Sequence, residues 1–166
     1  MGRRYDTEDF AHKIEYIRKA FGDRKVFFGI DVIVGFPGET DELFEETYRF
    51  LKERIRPAFI HIFPYSKRAG TPAAVRKDQV QDSVKTERVA RLEGLCTELH
   101  REFVGGCLGN RAQVLFESAE KGGMMTGYTE NYIKVWAEYE PGLIGRTSTV
   151  ILTAENTRLA VLAGEE

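Results

Sequence analysis

Gly29-Ile30-Asp31-Val32-Ile33-Val34-Gly35-Phe36-Pro37-Gly38-Glu39-Thr40 is the stretch whose reading decides the fold. An apolar, β-branched run from Val26 to Val34 enters a glycine-proline turn, and a helix-start signal follows at once. Thr40 suits the N-cap, and Asp41 and Glu42 place negative charge in the first turn, where the helix dipole favours it. The reading is strand, loop, helix, with the loop at the carboxyl end of the strand. Parallel α/β sheets and barrels hold their ligands at that end. Asp31 interrupts the apolar run. A carboxylate is costly to bury unless paired, so Asp31 is expected to have a partner or a ligand.

Upstream, Phe10, Ile14, Ile17 and Phe21 fall at helical spacing, with Thr7 as candidate cap and an end at Gly22. Downstream, a helix is expected from Asp41 to about Ile55, with Leu43, Phe44, Thr47, Phe50 and Leu51 inward, closed by Arg56-Pro57. Phe59-Ile60-His61-Ile62-Phe63 is the next strand. The two strands and the helix between them make a βαβ unit, which implies a right-handed crossover onto a parallel sheet. The loop Pro64-Tyr65-Ser66-Lys67-Arg68-Ala69-Gly70-Thr71-Pro72 would then share a rim with Gly35–Glu39. Both loops offer groups suited to small-molecule or phosphate contacts, among them Ser66 and the forked guanidinium of Arg68.

A long helix is expected from Gln79 to Phe103, with an apolar stripe of Val80, Val84, Leu92, Leu95, Leu99 and Phe103. Its charges, Lys85, Glu87, Arg88, Arg91, Glu93, Glu98 and Arg101, read as a solvated face. Gly105-Gly106 ends the helix and marks a domain boundary. Short strands follow: 112–117, 124–139 doubled near Glu130-Asn131, 145–153 and 158–162. Such a series predicts a small antiparallel barrel.

The chain has 166 residues, a net charge of -2 and two cysteines, Cys96 and Cys107. That charge makes no general appeal to nucleic acid or membrane. No apolar run reaches the length of a membrane span, and the expected location is cytoplasmic. Two cysteines are too few for a disulfide scaffold and lack metal-ligand spacing, so both read as reduced thiols.

The loop from Gly35 to Thr40 lacks the lysine of a P-loop and the spacing of a dinucleotide fingerprint, so spacing leaves both a structural turn and a ligand loop open. His61 should share a strand face with Phe59 and Phe63, as a core histidine or as a ligand. Gly127-Tyr128-Thr129-Glu130-Asn131-Tyr132-Ile133-Lys134-Val135-Trp136 interleaves aromatics with polar groups. Small barrels that bind RNA stack bases on such aromatics, although Tyr132 and Trp136 also fit a strand core and acidic residues outnumber basic ones here.

Together these segments resemble the methylthiotransferase family of radical S-adenosylmethionine enzymes, and among its branches the one acting on threonylcarbamoyladenosine in tRNA. Three blocks carry the resemblance: Asp31 to Thr40, Ile60 to Ala74, and Gly127 to Val135. Arg68 points to the tRNA-modifying branches, since the ribosomal-protein branch typically has an acid there. The resemblance implies an α/β region, residues 1–75, similar to the end of a radical S-adenosylmethionine partial barrel. A connecting helix, 76–104, and a TRAM-like antiparallel β-barrel for RNA, 105–166, would follow. Asp31, Gly35, Gly38, Glu39, Ser66 and Arg68 would then border S-adenosylmethionine. Tyr128, Asn131, Tyr132 and Lys134 would face a tRNA anticodon arm. Family chemistry places a methylthio group on C2 of the modified adenosine, using S-adenosylmethionine and two 4Fe-4S clusters.

The family's CxxxCxxC run is not in this sequence, nor are the cysteines of a second cluster. Thiolates hold such clusters. The chain therefore reads as the carboxyl-terminal part of a longer enzyme, with no catalytic or metal-ligating residue of its own and no cofactor expected to stay bound. Self-association through an incomplete barrel edge is also expected. Two alternatives compete with this reading, a stand-alone RNA-binding module and a small nucleotide-binding α/β protein.

Overall fold

The computed structural model describes residues 4–120 and 122–159, which fall into two compact units. The first takes the chain to Gly22 and then Phe28–Leu99; the second takes Asp23–Phe27 and the chain from His100.

In the first unit, helix α1 (Thr7–Phe21) is capped by Asp6, not Thr7. The Asp6 carboxylate accepts from the Asp9 N–H at 2.9 Å, and Asp9 returns the bond to the Asp6 N–H at 3.3 Å. Acidic side chains at both positions satisfy two free N–H groups at once, which one threonine cannot. Strand β1 (Gly29–Val34) begins three residues later than the apolar run suggested; Val26 and Phe27 belong to the second unit. Thr40 caps helix α2 (Asp41–Arg49) as expected, its hydroxyl accepting from the Leu43 N–H. Residues Phe50–Ile55 continue as a wider π-helical turn, and Arg56, at φ 46°, closes it in the left-handed region. Phe44, Leu51 and Ile55 are buried, whereas Leu43 and Thr47, expected inward, are exposed. Tyr48 packs in their place.

Strand β2 (Phe59–Pro64) runs parallel to β1, with Asp31 opposite His61. Alternation separates the two faces of the pair. Ile30, Val32, Val34, Ile60 and Ile62 pack on Phe44, Leu51, Leu92, Leu95 and Leu99. The opposite face shows Asp31, Ile33, Phe59, His61 and Phe63, all exposed. Asp31 is therefore not buried, and the expectation of an obligatory partner lapses, because water solvates its charge. His61 does share its face with the two phenylalanines, its ring edge-on to Phe59 at 4.8 Å.

Helix α3 (Asp82–Gly105) starts after Val80, later than expected, and buries Leu92, Leu95, Cys96 and Leu99 in the first core. Arg88 is a correction. It lies on the buried side, 4% exposed, not on the solvated face.

In the second unit, β3 (Arg111–Glu120), β4 (Met124–Thr129), β5 (Lys134–Glu138) and β6 (Thr147–Ile151) form one antiparallel sheet in the order β5-β4-β3-β6. The expected doubling of 124–139 is present, with the reversal at Glu130–Ile133. The register shifts between Phe116 and Ser118, a bulge that bends β3 and curls the sheet. The result is a curled antiparallel half-barrel of four strands among the described residues, consistent with the small antiparallel barrel expected. Val114, Phe116, Met125, Ile133 and Val135 form its core with Val104 and Cys107. The strand expected at 158–162 is not formed at Arg158, which lies in a turn, or at Leu159, which is helical; the rest of it falls outside the described residues.

Candidate functional site

In the first unit, β1 and β2 end side by side, and the Tyr65 N–H donates to the Val34 carbonyl at 2.8 Å. Parallel pairing thus brings the two loops onto one rim. Between them lies an open pocket of about 910 Å³ lined by Asp31, Phe36, Tyr65, Ser66, Arg68 and Arg76, among others. Phe36 stands edge-on to Tyr65 at 5.3 Å. The Tyr65 hydroxyl is buried with no hydrogen-bond partner among the described residues, a polar atom left for a ligand or water to satisfy. Thr71 bonds back to the Arg68 carbonyl through its hydroxyl at 2.8 Å and holds that loop in a turn.

Of the residues expected at the cofactor, Asp31, Ser66 and Arg68 line the pocket. Gly35, Gly38 and Glu39 are not among its lining residues; they belong to the loop that carries Phe36 to it. Gly35 has φ 73° and Gly38 has φ 87°, conformations that a side chain disfavours. A Cβ at Gly35 would also collide with the Lys85 stem, and one at Gly38 would lie 2.5 Å from the Arg76 guanidinium. Arg76 is ion-paired with Asp78, and its hydrogen bonds hold the Asp78 carboxyl below the usual range. The Glu39 carboxylate turns toward its own loop: Oε1 accepts from the Gly35 N–H at 2.9 Å and from Arg88 at 2.7 Å. Arg88 also reaches Asp41 at 2.6 Å and the Glu39 carbonyl at 3.3 Å, with its guanidinium 5.3 Å from the Phe44 ring centre. A buried guanidinium is tolerable because these oxygens occupy its donors.

In the second unit, the outward face of the sheet carries Lys134, Tyr128, Leu115 and Thr147 as successive neighbours across all four strands. A shallow hollow of about 510 Å³ includes Tyr128, Tyr132, Glu117 and Glu130 in its lining. Tyr132 is 67% exposed, which excludes the core reading for it, and its φ is 63°. Its ring lies 5.7 Å from Tyr128 and 5.7 Å from Phe27. Asn131 works as a brace in the reversal, its side-chain oxygen accepting from the Thr129 hydroxyl at 2.7 Å while its amide donates to the Lys25 carbonyl at 3.4 Å. Lys134 and Arg158 both lie against Trp136, at 4.9 and 4.6 Å from a ring centre. Phe27 and Arg158 escaped the sequence reading, since nothing in their neighbourhoods links them to residues 128–136.

Among curated proteins, the chain is 43% identical over 150 residues to threonylcarbamoyladenosine tRNA methylthiotransferase MtaB of Bacillus subtilis (strain 168), covering 88% of this chain and 33% of that protein. It is homologous to the tRNA methylthiotransferases. A tRNA-2-methylthio-N(6)-dimethylallyladenosine synthase of Wolbachia sp. subsp. Brugia malayi (strain TRS) is 47% identical over 118 residues, covering 71% of this chain and 26% of that protein. One from Acetivibrio thermocellus is 36% identical over 159 residues, 95% of this chain and 32% of that protein. This methylthiotransferase homologue thus spans a third or less of the length of these relatives. No family model matches the chain.

The residues of this methylthiotransferase homologue do not fit an iron–sulfur cluster. Among the described residues no group of three or more His, Cys, Asp or Glu side chains converges. Cys96 and Cys107 lie buried in separate cores, and burial pushes both thiols up, away from the thiolate that ligation needs. The pocket, by contrast, brings together a carboxylate, two guanidinium groups and aromatic rings, a set suited to a polar small molecule.

Proposed function

We propose that this chain supplies the cofactor-pocket rim and the RNA-holding face of a tRNA methylthiotransferase related to the enzymes named above. The observation that carries the reading is the convergence of the Gly35–Glu39 and Tyr65–Arg68 loops on one pocket at the carboxyl ends of parallel strands. The two-stranded sheet, covered by helices on one face and bare on the other, is what the final strands of a radical S-adenosylmethionine barrel would look like alone. Its bare face would be the barrel interior.

In that role Asp31, Ser66 and Arg68 contact S-adenosylmethionine, and Gly35, Gly38 and Glu39 shape the rim that holds it. S-adenosylmethionine, when bound, supplies the methyl group. The family's cluster ligands would have to come from residues other than the described residues of this chain. In the second unit, Tyr128 and Tyr132 offer ring faces to bases of the anticodon arm, and Lys134 lies along its phosphates. Asn131 acts by holding the turn that presents Tyr132.

Titration with S-adenosylmethionine into the millimolar range, followed by amide NMR, tests the pocket. Shifts are expected at Phe36, Tyr65, Ser66 and Arg68, and ATP should not reproduce them. Equal shifts with ATP would favour a general nucleotide-binding protein, and no shifts at all would remove the cofactor role. Cytoplasmic location is part of the same reading, and no described helix is long and apolar enough to cross a membrane.

A further inference from the structure

Arg88 stands where an apolar residue would be expected. Val84, Arg88, Leu92, Leu95 and Leu99 follow one another at helical spacing down the buried stripe of α3, and Arg88 is 4% exposed among them. Replacing a buried ion pair by apolar side chains is often neutral or stabilising, so stability alone does not account for a guanidinium at this point of the stripe. Its bonds go to a single place. One nitrogen takes the Glu39 carboxylate at 2.7 Å and the Glu39 carbonyl at 3.3 Å; the other takes Asp41 at 2.6 Å, on the far side of the Thr40 cap. The same Glu39 oxygen accepts the Gly35 N–H at 2.9 Å. Loop entry, loop exit and helix start are thus tied to one side chain.

We infer that Arg88 is a positioning residue for the pocket, fixing through Glu39 the direction of the Gly35 peptide and so the rim on which Phe36 stands. Lys85, one turn earlier on α3, packs its stem over Gly35 and completes the clamp. The inference rests on the proposed pocket for its purpose, but the geometry can be tested without any ligand.

The test is hydrogen exchange of backbone amides by NMR on Arg88→Lys, Arg88→Met and Glu39→Gln, with Arg91→Ala as control. Arg91 pairs with Glu45 on the exposed side of the same helix. The Gly35 amide is expected to exchange about tenfold or more faster in Arg88→Met and Glu39→Gln, and by an intermediate factor in Arg88→Lys. Val32 and Ile62 should stay as protected as in the unchanged chain, and Arg91→Ala should leave Gly35 as it was. S-adenosylmethionine should then shift the Phe36 amide less in the Arg88 variants. Unchanged Gly35 exchange in Arg88→Lys and Glu39→Gln would overturn the inference. So would loss of protection across the whole β1–β2 pair in Arg88→Lys, since Arg88 would then serve the fold and not the rim. If the unchanged chain shows no response to S-adenosylmethionine while Gly35 exchange behaves as stated, the cofactor reading fails and the positioning role stands.

Discussion

Gly35 has little room for change. Gly35→Ala adds left-handed strain and a collision with Lys85, and a loss of about 1–3 kcal/mol is expected from thermal denaturation. Adding Lys85→Ala should recover the steric part and leave about 1 kcal/mol of backbone strain. Burial raises both thiols, Cys96 and Cys107, in the folded state. A raised folded-state pKa means the unfolded chain loses these protons first, so the contribution is whole below the unfolded thiol pKa of about 8.5 and declines as pH rises through the folded values. Denaturant midpoints should therefore fall from neutral pH toward pH 10, and Cys96→Ala with Cys107→Ala should flatten that decline. Arg88 shows what a sequence can disclose and still be misread. Its spacing from Val84 and Leu92 put it in the buried stripe, but its charge argued for solvent, and the two carboxylates that reconcile these facts lie nearly fifty positions away.

At the scale of elements, the reversal between β4 and β5 pairs strain with display. Tyr132 holds a positive φ that glycine or asparagine tolerates better, and its ring is the most exposed of the aromatic group it joins. Tyr132→Asn is expected to leave the melting temperature nearly unchanged while weakening binding of an anticodon stem-loop RNA by about 5- to 150-fold, the range for one lost stack of about 1–3 kcal/mol. Fluorescence anisotropy measures it, and equal affinity would remove Tyr132 from the proposed RNA face. Lys134→Ala should reduce the slope of log affinity against log salt by about 0.7 to 0.9. The βα succession, the Thr40 cap and the parallel pairing were legible in short-range patterns, because capping and alternation are local. The curl of the second sheet was not legible, since it follows from a bulge at Glu117 set by the partner strands.

For the molecule as a whole, the bare face of β1 and β2 matters most. Ile33, Phe59 and Phe63 are each more than a third exposed on it. Apolar patches of this kind draw partners, so concentration-dependent association is expected in sedimentation velocity, and Phe59→Lys should reduce it. A single sedimenting species across a hundredfold range of concentration would argue against that. The sequence disclosed part of this face, placing His61 with Phe59 and Phe63 on one side of their strand, but read Asp31 as buried. What it could not announce was which side the helices leave uncovered.

The five residues Asp23–Phe27 carry one more consequence. They leave the first unit's stretch of chain to join the second, where Phe27 meets Phe103 edge-on at 5.6 Å and lies beside Tyr132. Scissors applied between Leu99 and His100 would not release a whole piece. The carboxyl-terminal product would lack an aromatic plug donated from far upstream, and anyone wishing to study it in isolation would have to graft that short segment back.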